Sequence, residues 1–395
     1  MLLKISRVKF GLIIISALLV CFFMLGALFF RNSTYEKLAI MTEVLHLVKN
    51  NYVDKVDLKK LYKGAFKGLM EALDAESAYL NKEEYKYFQI SAPNKYGIAL
   101  ARRTPESLIV ISRVTPSSSA YNAGIRSRLL IKSINGHHTS ELSLFQARYL
   151  LAVEKKNLRL FLTKEKTDKE IYVELRPGKP IWERAQFKLM EGNIGYINIP
   201  NLLSDTSKQV RHAITYLKNA KAEALIIDLR DNCQGLNSEA IKVADFFLEK
   251  GYIASLEPRR GEHKIYQAIQ ENTIYKSLLA ILVNSQTIGA SEILANAIKD
   301  NNRGKILGEQ TFGLGLEYRF VPLPSGEALW LPWARYYTAK GEEIQYKGIS
   351  PDFPIAEEDE RPPILLRKVE KNSKVDKQLE KALEEIRKLL PADRQ

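Results

Sequence analysis

Two stretches late in the chain hold the side chains whose types and spacing could do chemistry. Residues 283–293 read Val-Asn-Ser-Gln-Thr-Ile-Gly-Ala-Ser-Glu-Ile, and residues 308–318 read Gly-Glu-Gln-Thr-Phe-Gly-Leu-Gly-Leu-Glu-Tyr. The hydroxyls of Thr287 and Ser291 are candidate nucleophiles, but a hydroxyl attacks only beside a group that takes its proton. Lys299 and Lys305 are available amines, and nothing in the spacing aims them at this point. Cys233, in the segment Asp228-Leu229-Arg230-Asp231-Asn232-Cys233-Gln234-Gly235, is a candidate thiol that needs a lowered pKa and a base. None of the five histidines (His46, His137, His138, His212, His263) falls in a segment expected near it. The pair His137-His138 lacks further spaced ligands for a metal and reads as a solvent-facing turn. Gly313-Leu314-Gly315 lacks the Lys-Ser/Thr of a phosphate loop.

Several elements must position these residues. Ala224 to Arg230 is a continuous apolar run ending in a turn, as a buried strand would be. Gly192 to Ile199 alternates with period two, and Thr206 to Asn219 carries Val210, Ala213, Ile214 and Leu217 at helical spacing. Asp376 to Leu390 is an amphipathic helix, with Leu379, Ala382, Leu383, Ile386, Leu389 and Leu390 on its apolar side. Residues 34–90 show helical spacing, and 95–178 read as short strands with one helix over Ser143 to Ala152. There are no internal repeats.

At 395 residues and 46% hydrophobic content the chain can bury a sizeable core in two to three domains. Residues 10–30 form an apolar run without a charge, roughly 31 Å of helix, enough to cross a bilayer core of about 30 Å. Lys4, Arg7 and Lys9 precede it, which keeps the N-terminus cytoplasmic and the bulk of the chain outside. A cleaved signal peptide is the alternative, with Leu25-Gly26-Ala27 as its only weak cleavage site. With Cys21 inside the run, one exported cysteine remains, and no intramolecular disulfide forms there. The net charge of +13 is dispersed, without the motifs of a nucleic-acid binder. It reads as a solvated surface, compatible with a neighbouring anionic bilayer.

The two late stretches closely resemble the active-site region of the C-terminal processing peptidases, or tail-specific proteases. There the first stretch runs V-N-x-x-S-A-S-A-S-E-I with the middle serine as nucleophile. The second runs G-E-x-T-F-G-K-G-x-x-Q, with the lysine as base and the glutamine orienting it. Residue by residue, the serine falls on Gly289, the lysine on Leu314 and the glutamine on Tyr318, and the spacing 314 − 289 = 25 keeps the family register. The family's oxyanion loop, D-L-R-x-N-x-G-G, falls on Asp228 to Gly235, with Cys233 for the usual proline, Gln234 for the first glycine and Gly235 retained. Leu73-Asp74-Ala75-Glu76-Ser77-Ala78-Tyr79-Leu80 resembles the family's L-D-P-H-S-x-Y-L without its proline and histidine. Tyr96-Gly97-Ile98-Ala99 resembles the carboxylate-binding turn of a PDZ domain. Residues 114–125 and 131–136 match later PDZ landmarks, while Arg126-Ser127-Arg128-Leu129 replaces the usual Lys-Pro-Gly-Asp.

The resemblance implies a multidomain α/β (α+β) fold. Its parts are a cytoplasmic N-terminus (1–9), a transmembrane helix (10–30), a helical region (31–94), a PDZ-like domain (95–178), a ClpP/crotonase-like protease core (179–355), and a charged linker with a C-terminal helix (356–395). It implies no cofactor and no metal. The expected function is that of a membrane-anchored pseudoprotease binding protein C-terminal peptides through Tyr96, Gly97, Ile98 and Ala99, or pairing with an active relative or with itself as a homodimer. The alternative is an active peptidase with a relocated nucleophile at Cys233, Thr287 or Ser291. A fold-only PDZ domain and a purely structural role stay open beside these. Leu314 and Tyr318 are expected to fill the old lysine channel with apolar surface.

Overall fold

The apolar periodicities resolve into helices and three sheets in a computed structural model describing residues 16, 21, 33–88, 94–164, 170–179, 181, 183–356 and 376–390. Apart from Ser16 and Cys21, the expected membrane segment 10–30 lies outside the described residues. Among the described residues no helix is long and apolar enough to cross a membrane. The chain divides into two compact units, Met1–Phe66 and Lys67–Gln395. The first holds α1 (Ser33–Asn51) and most of α2 (Leu58–Glu71). Tyr35, Leu38, Ile40, Val44 and Leu47 of α1 are about half exposed.

The second unit begins with a departure from the helical spacing of 34–90. Ala78–Leu80 is a strand, β1, followed by the short helix α3 (Lys82–Phe88). β1 belongs to a sheet built far along the chain, where it pairs antiparallel with the strand at Ala328–Tyr337.

Residues 94–164 and 170–175 hold an antiparallel sheet. Its strands are β2 (Ile98–Ala101), β3 (Ile109–Val114), β4 (Leu130–Ile134), β5 (His137–His138), β6 (Leu158–Thr163) and β7 (Glu170–Leu175), in the order β2-β3-β4-β6-β7 with β5 on β4. A four-residue helix, α4 (Ser119–Asn122), follows β3, and α5 (Leu144–Val153) packs beside β2. α5 starts where its sequence says it should. Ser143 Oγ accepts from the Gln146 N–H and Gln146 Oε1 accepts from the Ser143 N–H, a reciprocal cap of two orphan donors.

The remainder is a three-layer α/β core. Its strands are β8 (Gln186–Met190), β9 (Ile194–Asn198), β10 (Ala224–Asp228), β13 (Leu278–Val283), β14 (Lys305–Gly308) and β17 (Phe353–Pro354), ordered β17-β14-β13-β10-β9-β8. All pairs are parallel except β8 with β9. The apolar run 224–228 is buried at every position because helices cover both faces of its sheet. On one face lie α6 (Thr206–Asn219), α7 (Asn237–Asp245) and α8 (Ala290–Asp300), meeting Ile197, Leu225, Ile227 and Ile281. On the other, α9 (Lys377–Leu389) sets Leu379, Ala382 and Ile386 against Ile194, Tyr196, Ile226 and Leu282. β9 is therefore buried on both sides, although its alternation alone leaves one face for solvent. A third sheet, β1-β16-β11-β12 with β15 on β16, joins β11 (Tyr252–Pro258), β12 (Lys264–Gln267), β15 (Leu316–Pro322) and β16 (Ala328–Tyr337).

α9 is fastened by a buried ionic cluster. Arg230, just past the end of β10, donates to Asp228 at 2.6 and 2.9 Å and to Asp376, the N-cap of α9, at 2.9 Å through both terminal nitrogens. Tyr196 donates its hydroxyl to Asp228 at 2.7 Å. All these side chains are buried, so the cluster survives only because each charge is paired.

Candidate functional site

Three loops at the carboxyl ends of β10, β13 and β14 meet in one place, the usual position for a site in an open parallel sheet. Gly289 ends the β13 loop as the N-cap of α8, with φ 67° and ψ −113°. Only glycine takes this conformation without strain. A Cβ built there meets nothing closer than Leu314 Cδ2, at 3.8 Å. The positions expected for nucleophile and base are thus side by side, and they hold no side chain and an aliphatic one.

A buried carboxylate fixes that juxtaposition. Glu292 accepts from the N–H of Gly289 at 2.8 Å and of Leu314 at 2.8 Å on one oxygen. Its other oxygen accepts from the Gly313 N–H at 2.7 Å and the Thr311 hydroxyl. Burial pushes this carboxyl above the ordinary range while the four donors pull it back. Thr311 Oγ1 also accepts from the Ile349 N–H at 2.7 Å. Gly348, at φ 63°, lies so close that a Cβ would stand 2.4 Å from the Thr311 carbonyl. Glu292 caps its own helix and bridges to the second loop, a role that spacing in the sequence does not show. The Glu at N3 of a helix was the only available signal.

The neighbouring hydroxyls are committed elsewhere. Ser291 Oγ is fully buried and donates to the Asn232 carbonyl at 2.8 Å, and Thr287 Oγ1 donates to the Leu229 carbonyl at 2.9 Å. Lys299 donates to the Ser350 carbonyl, and Lys305 starts β14 on the surface. In the β10 loop, Asp231, at φ 56°, exchanges hydrogen bonds with Asn284: its N–H donates to Asn284 Oδ1 at 3.0 Å, and Asn284 Nδ2 returns to its carboxylate at 2.8 Å. Gln234 is exposed and outside the left-handed region, so its Cβ strains nothing. The departure from glycine there is conformationally neutral. Gly235 is different: a Cβ would stand 2.5 Å from Leu202 Cβ, where the two residues bridge.

Cys233 is partly buried in a small apolar cluster with Ala101, Ile288, Phe312, Val110 and Leu314. Ser112 Oγ donates to its Sγ at 3.2 Å. Burial pushes the thiol up to about 11, outweighing the hydrogen bond and the nearby Arg113. No histidine contact to it occurs among the described residues. The antiparallel sheet reaches over this cluster: Arg103 stacks on the Phe312 ring at 5.2 Å, and Arg113, paired with Glu183 at 2.6 Å, also donates to the Asp231 carbonyl at 3.4 Å.

Tyr318 does more than fill space. Its ring stacks on Trp330 at 5.6 Å with 9° between planes, and its hydroxyl donates to Asp74 Oδ1 at 3.2 Å. Burial, then Asp74, holds the phenol far above its usual range. Leu314, Tyr318, Asp74, Glu76 and Arg103 line a small cleft with room for little more than a water molecule.

The turn Tyr96-Gly97-Ile98-Ala99 leads into β2, the antiparallel sheet's first strand. Gly97 has φ 72°, and a Cβ there would stand 2.3 Å from Ser118 Cβ, so only glycine fits. The N–H groups of Tyr96, Gly97 and Ile98 converge on one acceptor, the Oδ1 of Asn94, at 3.1, 3.0 and 3.3 Å. Among the described residues no group of three or more His, Cys, Asp or Glu side chains is placed to hold a metal.

The model of peptidase family S41 matches residues 193–355. The carboxy-terminal processing protease CtpA of Bacillus subtilis is 30% identical over 324 residues, covering 81% of this chain and 68% of that protein. The chain belongs to peptidase family S41. Within it, the similarity is to the C-terminal processing peptidases: the carboxy-terminal-processing protease of Bartonella bacilliformis is 28% identical over 332 residues, 82% of this chain and 76% of that one. The solved photosystem II D1 C-terminal processing protease superposes with a TM-score of 0.69 at 25% identity, covering 79% of this chain and 86% of its own. The S41 match spans β9 to β17 and so takes in all three loops of the site.

Proposed function

We propose that this S41 protein is a non-catalytic, membrane-anchored member of its family that binds the carboxyl ends of other polypeptides outside the cytoplasm or tunes an active relative. The observation that carries the reading is the meeting of Gly289 with Leu314. A Ser–Lys mechanism needs a hydroxyl and an amine at these two positions, and the pair supplies neither. The nearby hydroxyls support it further, since Thr287 and Ser291 are buried and hydrogen-bonded to carbonyls. A thiol held near 11 is a poor nucleophile at neutral pH.

The ligand class follows from two things. The relatives are named for processing carboxyl termini. The 95–178 region offers a glycine turn with converging amides beside the outer strand β2, the parts with which a PDZ-like module receives a chain end. The run 10–30, with Lys4, Arg7 and Lys9 before it, supplies the single-pass anchor in the cytoplasmic membrane. The exposed apolar residues of α1 suit pairing with a second copy or an active relative.

The test is to incubate the purified full chain with unfolded proteins, a fluorophosphonate and a thiol-reactive probe. No cleavage and no fluorophosphonate labelling are expected. Cleavage abolished by substituting Cys233, Thr287 or Ser291 would overturn the reading in favour of a relocated nucleophile.

A further inference from the structure

The parts of β2 that would receive a peptide are already satisfied by the chain's own side chains. A peptide added to a sheet edge places its terminal carboxylate on turn amides and donates N–H groups to alternate outward carbonyls of the strand. Here Asn94 Oδ1 takes the three turn amides. Asn94 Nδ2 donates to the Ile98 carbonyl at 2.5 Å. Two residues along, the Leu100 carbonyl accepts from Arg148 Nη2 at 2.9 Å. Arg148 projects from α5, and its guanidinium is held by both oxygens of Glu76 at 3.0 and 3.2 Å. No other strand pairs with this edge of β2 among the described residues.

One side-chain amide therefore presents an acceptor to the turn and a donor to the strand, and a guanidinium supplies the next donor in register. A chain end would bring the same three groups in the same order. We propose that Asn94 and Arg148 are an internal stand-in for a bound carboxyl terminus, which an incoming free C-terminal carboxylate displaces. This rests on the reading of the 95–178 region as a receiver of chain ends. It adds a regulatory element: the site is closed by a neutral amide, which an anion outcompetes because charged acceptors bind N–H groups more strongly than neutral ones. Arg148 couples the closure to Glu76, on the segment whose Asp74 receives Tyr318, so opening the strand edge loosens one wall of the cleft beside Leu314.

The experiment uses the full chain in detergent, selectively ¹⁵N-labelled at asparagine. The probes are a degenerate fluorescent decapeptide pool with free carboxyl ends and the same pool with amidated ends. Wild-type protein should prefer the free acids, and saturating them should move the Asn94 side-chain NH₂ resonances. Asn94→Ala should bind the free acids about threefold to tenfold more tightly, the size of one or two net hydrogen bonds no longer displaced, with no change for the amides. Asn94→Asp, which puts a carboxylate on the three amides, should weaken the free acids by a similar factor. Equal binding of free acids and amides in wild type and Asn94→Ala would remove the chain-end reading and the stand-in together. A free-acid preference with unmoved Asn94 resonances, or with no tightening in Asn94→Ala, would overturn the stand-in and leave the chain-end reading in place. Should Asn94→Ala not fold, the wild-type resonances decide.

Discussion

Substituting Gly289 by alanine and by serine isolates a backbone cost from a steric one. A Cβ at 289 meets only Leu314 Cδ2 at 3.8 Å and the Leu314 carbonyl at 4.0 Å, both ordinary contacts, so crowding contributes nothing. The φ of 67° with ψ −113° remains. Holding an L-residue there costs about 1–3 kcal/mol. Alanine and serine should therefore both destabilise by that amount and agree within about 0.5 kcal/mol, because the cost sits in the backbone. Gly235→Ala gives the contrast. Its φ lies outside the left-handed region, but its Cβ would stand 2.5 Å from Leu202 Cβ, an overpacking cost of about 1–3 kcal/mol or more. Urea unfolding followed by the fluorescence of Trp330 and Trp333 on β16 reads the differences, provided the slope is unchanged. A Gly289→Ser protein as stable as the parent, or far less stable than Gly289→Ala, refutes the reasoning. The same variant tests the chemistry. Alone it should stay unlabelled by fluorophosphonates because Leu314 cannot take a proton. Combined with Leu314→Lys it places a hydroxyl and an amine at the two facing positions, and labelling should appear there first. Labelling of Gly289→Ser alone would show that another base serves the site.

Arg230→Met leaves Asp228 and Asp376 buried without their partner and should cost about 3–5 kcal/mol, measured as loss of α9 docking by hydrogen exchange. Glu292→Gln turns two of four N–H or O–H contacts against an NH₂ group; about 2–4 kcal/mol of destabilisation and faster amide exchange at Gly313 and Leu314 are expected. For Cys233 the folded pKa, about 11, lies above the ordinary value, so the folded state holds the proton longer than the unfolded one. Its contribution is therefore fully present below about pH 9 and is lost as pH rises toward 11, with alkylation by iodoacetamide slow at pH 7.5 and rising about tenfold per pH unit to that limit. Ser291→Ala should leave any peptide binding unchanged while costing about 1 kcal/mol, the hydrogen bond to the Asn232 carbonyl.

What the sequence disclosed was local. The apolar run at 224–228, the helical spacing of 206–219 and the helix expected from Ser143 are patterns contained within one element, and each became the element it suggested. Glu292, Asn284 and Arg230 carry their meaning through partners 19 to 146 residues away, and no periodicity records such a pairing. The strand at Ala78–Leu80 eluded a helical reading for the same reason, since its partner is at 328–330. Gly235 was visible as a glycine, but the reason for it, Leu202, was not. The turn at Tyr96–Ala99 was legible from its own residues, whereas its internal acceptor was not, because Asn94 lies outside the motif and reads alone as an ordinary loop asparagine.

The ionic fastening of α9 bears on how this protein is made. Arg230 and Asp376 are 146 residues apart, and the sheet face that α9 covers is laid down by β9, β10 and β13 long before it. A chain emerging from its N-terminus must therefore carry Ile194, Tyr196, Ile226 and Leu282 uncovered until the last helix arrives, an interval in which exposed apolar sheet invites aggregation. At about 5–20 residues per second, the typical synthesis rate, the wait between Arg230 and Asp376 lasts several seconds to half a minute. Trimming the chain ahead of Asp376 would make that transient exposure permanent.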